Sequence, residues 1–217
     1  MTSASATPTV DTRNKLTDAA LRLYAERGVF NVSLAEVVRA AGQRNASAVH
    51  YHFGDRDQLL LAIMQPHVVV LRARRDELLA KSIDAAGPEP VVEALVRPLV
   101  ELAREGWQAR AWMKIGLELA DHVERVPSEL TALLFKAGGG EVLSVLAERC
   151  APLPPEVWHL RTAICIGFTA RAATERARII DDQPRARPAI NDEAFVTNLV
   201  DMFLGALTAP APRDLGI

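Results

Sequence analysis

A capping-box sequence, Ser33-Leu34-Ala35-Glu36, and two glycines, Gly42 and Gly54, divide residues 33 to 54 into two short helices joined by a tight turn. In a capping box the serine hydroxyl and the glutamate carboxylate each satisfy a backbone N–H left free at a helix start. Gly42 can take the left-handed conformation that closes a helix. The spacing therefore predicts one helix over Leu34 to Ala41 and a second over Asn45 to His52. A pair of that size with a glycine in its turn has the proportions of a helix-turn-helix.

The rest of the chain continues the helical pattern. Leu16, Ala19, Ala20, Leu23 and Tyr24 recur at helical spacing after a cap at Asp11 or Thr12, with Gly28 just past the last turn. Asp55-Arg56-Asp57-Gln58 opens a further helix running to about Ser82. Gly87-Pro88-Glu89-Pro90 is the clearest internal break, and helical stretches follow at 89–105, 107–124, 128–150, 155–181 and 192–208. Gly138-Gly139-Gly140 lacks the Lys-Ser/Thr of a phosphate-binding loop and is expected to bend or break a helix. No run alternates apolar and polar residues long enough to need a strand. The expected fold is all-α, with a three-helix helix-turn-helix domain over 11–54 and a larger helical domain over 55–209, joined by the helix from 55 to about 82. Residues 1–10, "MTSASATPTV", read as a disordered lead, 182–190 as a loop, and 210–217 as a frayed tail.

Composition restricts the function classes. Of 217 residues 49% are hydrophobic and 24% charged, enough to bury a core. Lys plus Arg is 25 against 27 for Asp plus Glu, so bulk charge argues for neither a nucleic acid nor a membrane, and any DNA contact must be local. Within the first 57 residues Arg13, Lys15, Arg22, Arg27, Arg39, Arg44 and Arg56 are nearly balanced by Asp11, Asp18, Glu26, Glu36, Asp55 and Asp57. No run is long and apolar enough to cross a bilayer, and no secretory leader opens the chain. Cys150 and Cys165 lack the paired spacing of a zinc or redox motif, which fits ordinary core residues in a reducing cytoplasm. No nucleophile elbow, metalloprotease motif or dinucleotide fingerprint is present, so neither an enzyme nor a cofactor is expected. His50 and His52 stand i and i+2, on opposite sides of a helix, and cannot grip one metal ion as i, i+4 histidines can.

The second short helix suits base reading. Arg44, Asn45, Ser47 and His50 are hydrogen-bonding side chains of the right reach for base edges or nearby phosphates, while Ala46 and Ala48 permit close approach. Val49 and Phe53, at i and i+4, are expected to pack inward against Leu23, Leu34, Val37 and Val38. From helix one through Arg27-Gly28, Phe30, Ser33-Leu34, Val37 and Ala41-Gly42 to Tyr51-His52-Phe53, Gly54-Asp55-Arg56 and Leu59, about 45 residues resemble the DNA-binding head of the tetracycline-repressor (TetR) family of transcriptional regulators. The interval from Gly42 to Tyr51 is one residue longer than the commonest pattern of that family.

The resemblance implies that Tyr51 and Arg56 touch DNA phosphates, that Ser33 and the start of the next helix assist, and that His50 lies near bases. His52 either joins them or packs against helix one. It also implies that the second domain dimerises and holds a pocket for a small inducer, which makes the chain a homodimeric regulator of a palindromic DNA operator, more naturally a repressor. Phe195, Leu199, Met202 and Phe203, on a last helix apolar around well over half its circumference, are the expected dimer face together with the helix from Trp158 to Ile180. Trp107, Trp112, Met113, Leu117, Phe135, Trp158, Cys165 and Phe168 are the expected pocket, suited to an apolar or amphipathic molecule, with Glu118, Asp121, His122 and His159 as polar groups nearby. The alternative is a helical interaction or ligand-binding protein that does not read DNA. A helix used only for packing would have no need of Arg44, Tyr51 and Arg56.

Overall fold

The computed structural model describes residues 8–45, 47–81, 87–182 and 190–211, and every regular element among them is a helix. In chain order these are α1 (Pro8–Arg27), α2 (Leu34–Ala40), α3 (Ala48–Phe53), α4 (Arg56–Lys81), α5 (Glu89–Ala103), α6 (Trp107–Asp121), α7 (Ser128–Ala137), α8 (Gly140–Arg149), α9 (Pro155–Asp182) and α10 (Asp192–Thr208). Single 3-10 turns, Val29–Asn31 and Val123–Arg125, follow α1 and α6. No single helix among the described residues is long and apolar enough to cross a membrane.

Two helix starts differ from the sequence reading, while the break expected at Gly138-Gly139-Gly140 is present. α1 is already helical at Pro8, the first described residue, ahead of the cap expected at Asp11 or Thr12, so Pro8 to Val10 of the expected lead are helical. The rest of the lead, residues 183–189 of the expected loop and the tail from 212 lie outside the described residues. α3 starts at Ala48 rather than Asn45, because Asn45 turns the chain instead: its Oδ1 accepts the N–H of Ser47 at 3.0 Å and its carbonyl accepts that of Ala48 at 3.0 Å. The stretch 128–150 is two helices. Gly139 takes φ 83 between them, and a Cβ at that position would stand 2.5 Å from Leu95 Cδ2.

The chain packs as two compact units. The first takes in the described residues up to Val68 and Trp107–Leu134; the second takes in the described residues of Val69–Gly106 and those from Phe135 onward. This grouping is not the division at Gly54 and Asp55 expected from the sequence, because α6 packs on α1. α6 buries Trp112, Ile115 and Leu119, and the Trp112 indole donates to the carbonyl of Met64 at 2.9 Å. Both Glu118 carboxylate oxygens accept the N–H of Val29 at 3.0 Å, which holds the 3-10 turn that aims α2.

In the second unit α5 is apolar nearly all round, with Val91, Val92, Leu95, Val96, Leu99 and Leu102 buried. Such a helix must be covered on several sides, and α8, α9 and α10 surround it. Asn191 caps α10 by accepting the N–H of Ala194 at 2.8 Å. The acidic first turn of α10 is tied back by Arg97, bidentate to Glu193 at 2.9 and 2.8 Å, and by Arg104 and Arg176 on Asp192.

Candidate nucleic-acid interface

The capping box forms as its residue types dictate. Ser33 Oγ accepts the N–H of Glu36 at 3.3 Å, and Glu36 Oε2 accepts both the backbone N–H and the hydroxyl of Ser33 at 2.8 Å. Arg27 closes on the other carboxylate oxygen at 2.8 Å. The backbone N–H of Ser33, then its hydroxyl and the Arg27 guanidinium, hold the Glu36 carboxyl at about 2. Because folding lowers this pKa, the stabilisation is complete above the ordinary carboxylate range and is lost as pH falls toward about 2. Between pH 5 and pH 2 the thermal midpoint of the native chain should therefore fall faster than that of Glu36→Gln; parallel profiles would remove Glu36 from the acid transition.

The helix pair that follows is short and rigidly seated. Val37 and Val38 of α2 and Ala48, Val49 and Phe53 of α3 are buried, which seats both helices by their inner faces. Leu23 and Leu34, expected beside them, are half-buried. The far end of α3 is tied to α1: Arg13 donates to the carbonyl of His52 at 2.7 Å, and its guanidinium lies 4.3 Å over the Phe53 ring. Arg13 carried no local signal beyond its charge, since its partner lies 39 residues away.

Arg44, Asn45, Ser47, His50 and Tyr51 all face outward. Tyr51 is 78% exposed, unusual for a ring of that size with an apolar body. His52 is half-buried and meets Tyr51 edge-on at 5.0 Å, so it supports that ring from the side. His50 Nδ1 lies 2.5 Å from the carbonyl of Gly54. A carbonyl can only accept, so Nδ1 carries the proton and Nε2 is left outward as the second hydrogen-bonding atom. Ala46 lies outside the described residues.

Three of the expected DNA contacts have other partners. Arg56 is turned inward, donating to the carbonyls of Val29 at 3.1 Å and Val32 at 2.5 Å, and so closes the corner between α1 and α2. Those carbonyls belong to a 3-10 turn and its end, which leave acceptors unsatisfied that a guanidinium can reach. Ser33 is occupied in the capping box, and Asn45 in its own turn. The outward face that remains is Arg44, Ser47, His50 and Tyr51.

The expected pocket residues are divided between the two units. Trp107, Trp112, Met113 and Leu117 belong to the first unit, and Phe135, Trp158, Cys165 and Phe168 to the second. Arg22 covers the Trp107 ring at 3.9 Å, while Glu118 and His122 brace the Val29–Asn31 turn, the latter with its ring 5.5 Å from that of Phe30. Cys165 is buried and Phe168 is exposed. Phe135 alone of the second four lines a cavity of about 90 Å³ beside α4 and α7.

The expected dimer face spans α9 and α10. On α10, Leu199 and Phe203 are buried within their own unit and Phe195 lies under the Arg176 guanidinium, because α10 packs on both α5 and α9. Of the four α10 residues only Met202, 49% exposed, faces outward. On α9, Leu160, Ile164 and Phe168 form an exposed apolar stripe at i, i+4 and i+8.

Residues 16–63 match the bacterial regulatory proteins of the tetR family. Over those residues the chain is similar to the tetR-family regulators. Among curated relatives, the HTH-type transcriptional regulator BetI of Rhizobium meliloti is 40% identical over 85 residues, covering 39% of this chain and 40% of that protein. BetI of Brucella suis is 30% identical over 117 residues, covering 52% and 57%. The chain thus spans about half or less of the length of the curated relatives it matches. The likeness in fold extends further: a TetR-family transcriptional regulator from Bordetella parapertussis superposes with a TM-score of 0.60 at 14% identity, covering 92% of this chain and 97% of that one.

Proposed function

We propose that the protein is a cytoplasmic, ligand-responsive transcriptional repressor that binds a palindromic operator as a homodimer. The observation that carries this reading is the outward set Arg44, Ser47, His50 and Tyr51 on and just ahead of a short helix whose opposite face is buried. A helix so seated can enter a major groove with α2 crossing the backbone. With a near-neutral head, placement of these groups matters more than bulk charge. Two copies are required to read a palindrome, and the stripe Leu160-Ile164-Phe168 with Met202 supplies an apolar face for a second copy of the chain.

Purified protein incubated with sheared genomic DNA should enrich one inverted repeat, whose half-sites lie one helical turn or more apart. Its affinity should fall with added salt, as displacement of counter-ions requires. Folded protein that enriches no sequence across a range of salt overturns the operator reading.

A further inference from the structure

Seven cationic side chains stand between residues 11 and 57, and five of them are occupied within the protein. Arg13 bonds the carbonyl of His52, Lys15 pairs with Asp11 and Arg27 with Glu36, Arg22 lies over the Trp107 ring, and Arg56 donates to the carbonyls of Val29 and Val32. The side chains of Arg39 and Arg44 have no such partner among the described residues. Arg44 already belongs to the outward set on and ahead of α3. Arg39, on α2, is a second exposed cation that the packing does not employ.

Its place is fixed from both ends of a short helix. α2 opens on the capping box at Ser33 and closes at the turn, where the carbonyl of Arg39 accepts the N–H of Gly42 at 3.0 Å and the carbonyl of Val38 accepts that of Gln43 at 3.0 Å. Arg39 therefore stands in the last turn of α2 and Arg44 just past the same closed turn, one on each side of Gly42. Val37 and Val38 are buried, whereas Ala35, Arg39 and Ala40 are exposed. Ala35 shares the outward face with Arg39 at i, i+4, and neither alanine extends past a methyl group, so a large rigid partner can come close to the guanidinium. Glu36, the carboxylate nearest in sequence, is held by Ser33 and Arg27.

A guanidinium with all its N–H groups available suits the oxygens of a phosphate. In a helix-turn-helix the first helix crosses the DNA backbone while the second carries the groups that reach the bases. Contacts to phosphate fix register and orientation without reading sequence. Because bulk charge gives this head no general attraction for DNA, each placed cation counts individually. We propose that Arg39 binds a backbone phosphate of the operator and, with Arg44 on the other side of the turn, fixes the register in which α3 meets the groove. The proposal rests on the operator reading above, which assigns the bases to α3 and leaves α2 without a contact of its own.

Fluorescence anisotropy of the full chain with two duplexes tests it: the recovered repeat, and a mixed-sequence duplex of equal length. Arg39→Gln, its fold checked by circular dichroism, should weaken binding to both at least ~10-fold at low salt. It should also flatten the slope of log affinity against log salt on the repeat by about two, since each of two protomers gives up one phosphate at about 0.9 apiece. Arg39→Lys keeps the charge and should keep the slope. Native affinity and slope in Arg39→Gln overturn the proposal and leave the operator reading standing. Weakening on the repeat alone reveals a base contact and overturns it as well, as does weakening with an unchanged slope, which a merely structural part would give. If no repeat is recovered, the mixed duplex still decides: salt-sensitive binding that depends on Arg39 keeps the phosphate contact and removes sequence reading, whereas absence of binding overturns both.

Discussion

Phe203→Ala should lower the stability of the folded chain by about 3–5 kcal/mol, the cost of emptying a large aromatic site in a packed core. Phe203 is 2% exposed on a helix packed against both α5 and α9, so chemical denaturation should show the drop at every protein concentration. Ile164, 59% exposed on α9, should behave in the opposite way. Ile164→Lys should leave the helical content intact and shift the mass by light scattering from two copies to one, because a lysine on each side of an apolar seam cannot be desolvated without a partner. If Phe203→Ala instead gives a folded monomer at little cost in stability, α10 is the seam and the assignment to α9 is wrong.

At the head, Tyr51→Ala and Arg44→Ala should each weaken binding to the recovered repeat by ~100-fold. A hydrogen bond to a charged group contributes about 1.5 kcal/mol, a homodimer forfeits it twice, and about 1.4 kcal/mol corresponds to tenfold. The two variants should differ in their salt dependence. Removing the Arg44 charge should flatten the slope of log affinity against log salt, by about one for each phosphate it no longer neutralises, whereas the neutral Tyr51 displaces no counter-ion and its removal should leave the slope unchanged. Unchanged affinity in both, measured by fluorescence anisotropy, would place the DNA face elsewhere.

What the sequence disclosed was what its chemistry settles locally. The capping box and the glycine at the turn involve partners within a few residues, the inward pair Val49 and Phe53 follows from helical spacing alone, and the structure has them as read. The inward partners of Arg56, the carbonyls of Val29 and Val32, could not be foreseen, because they are 27 and 24 residues away and present no side-chain signal. The same holds for α6, whose Trp112 meets a backbone carbonyl 48 residues distant. For α10 the difficulty was different in kind. An apolar circumference reports how much of a helix is covered and is silent on whether the cover comes from the same chain or another.

Both ends of α3 are seated: Ala48 and Val49 by burial, and the C-terminal residues by the burial of Phe53, the Arg13 bond to His52 and the His50 bond to Gly54. With the longer interval between Gly42 and Tyr51, Tyr51 and His50 still face outward. On the operator reading proposed above, a change at Arg13 or Phe53 should therefore shift His50 and Tyr51 together.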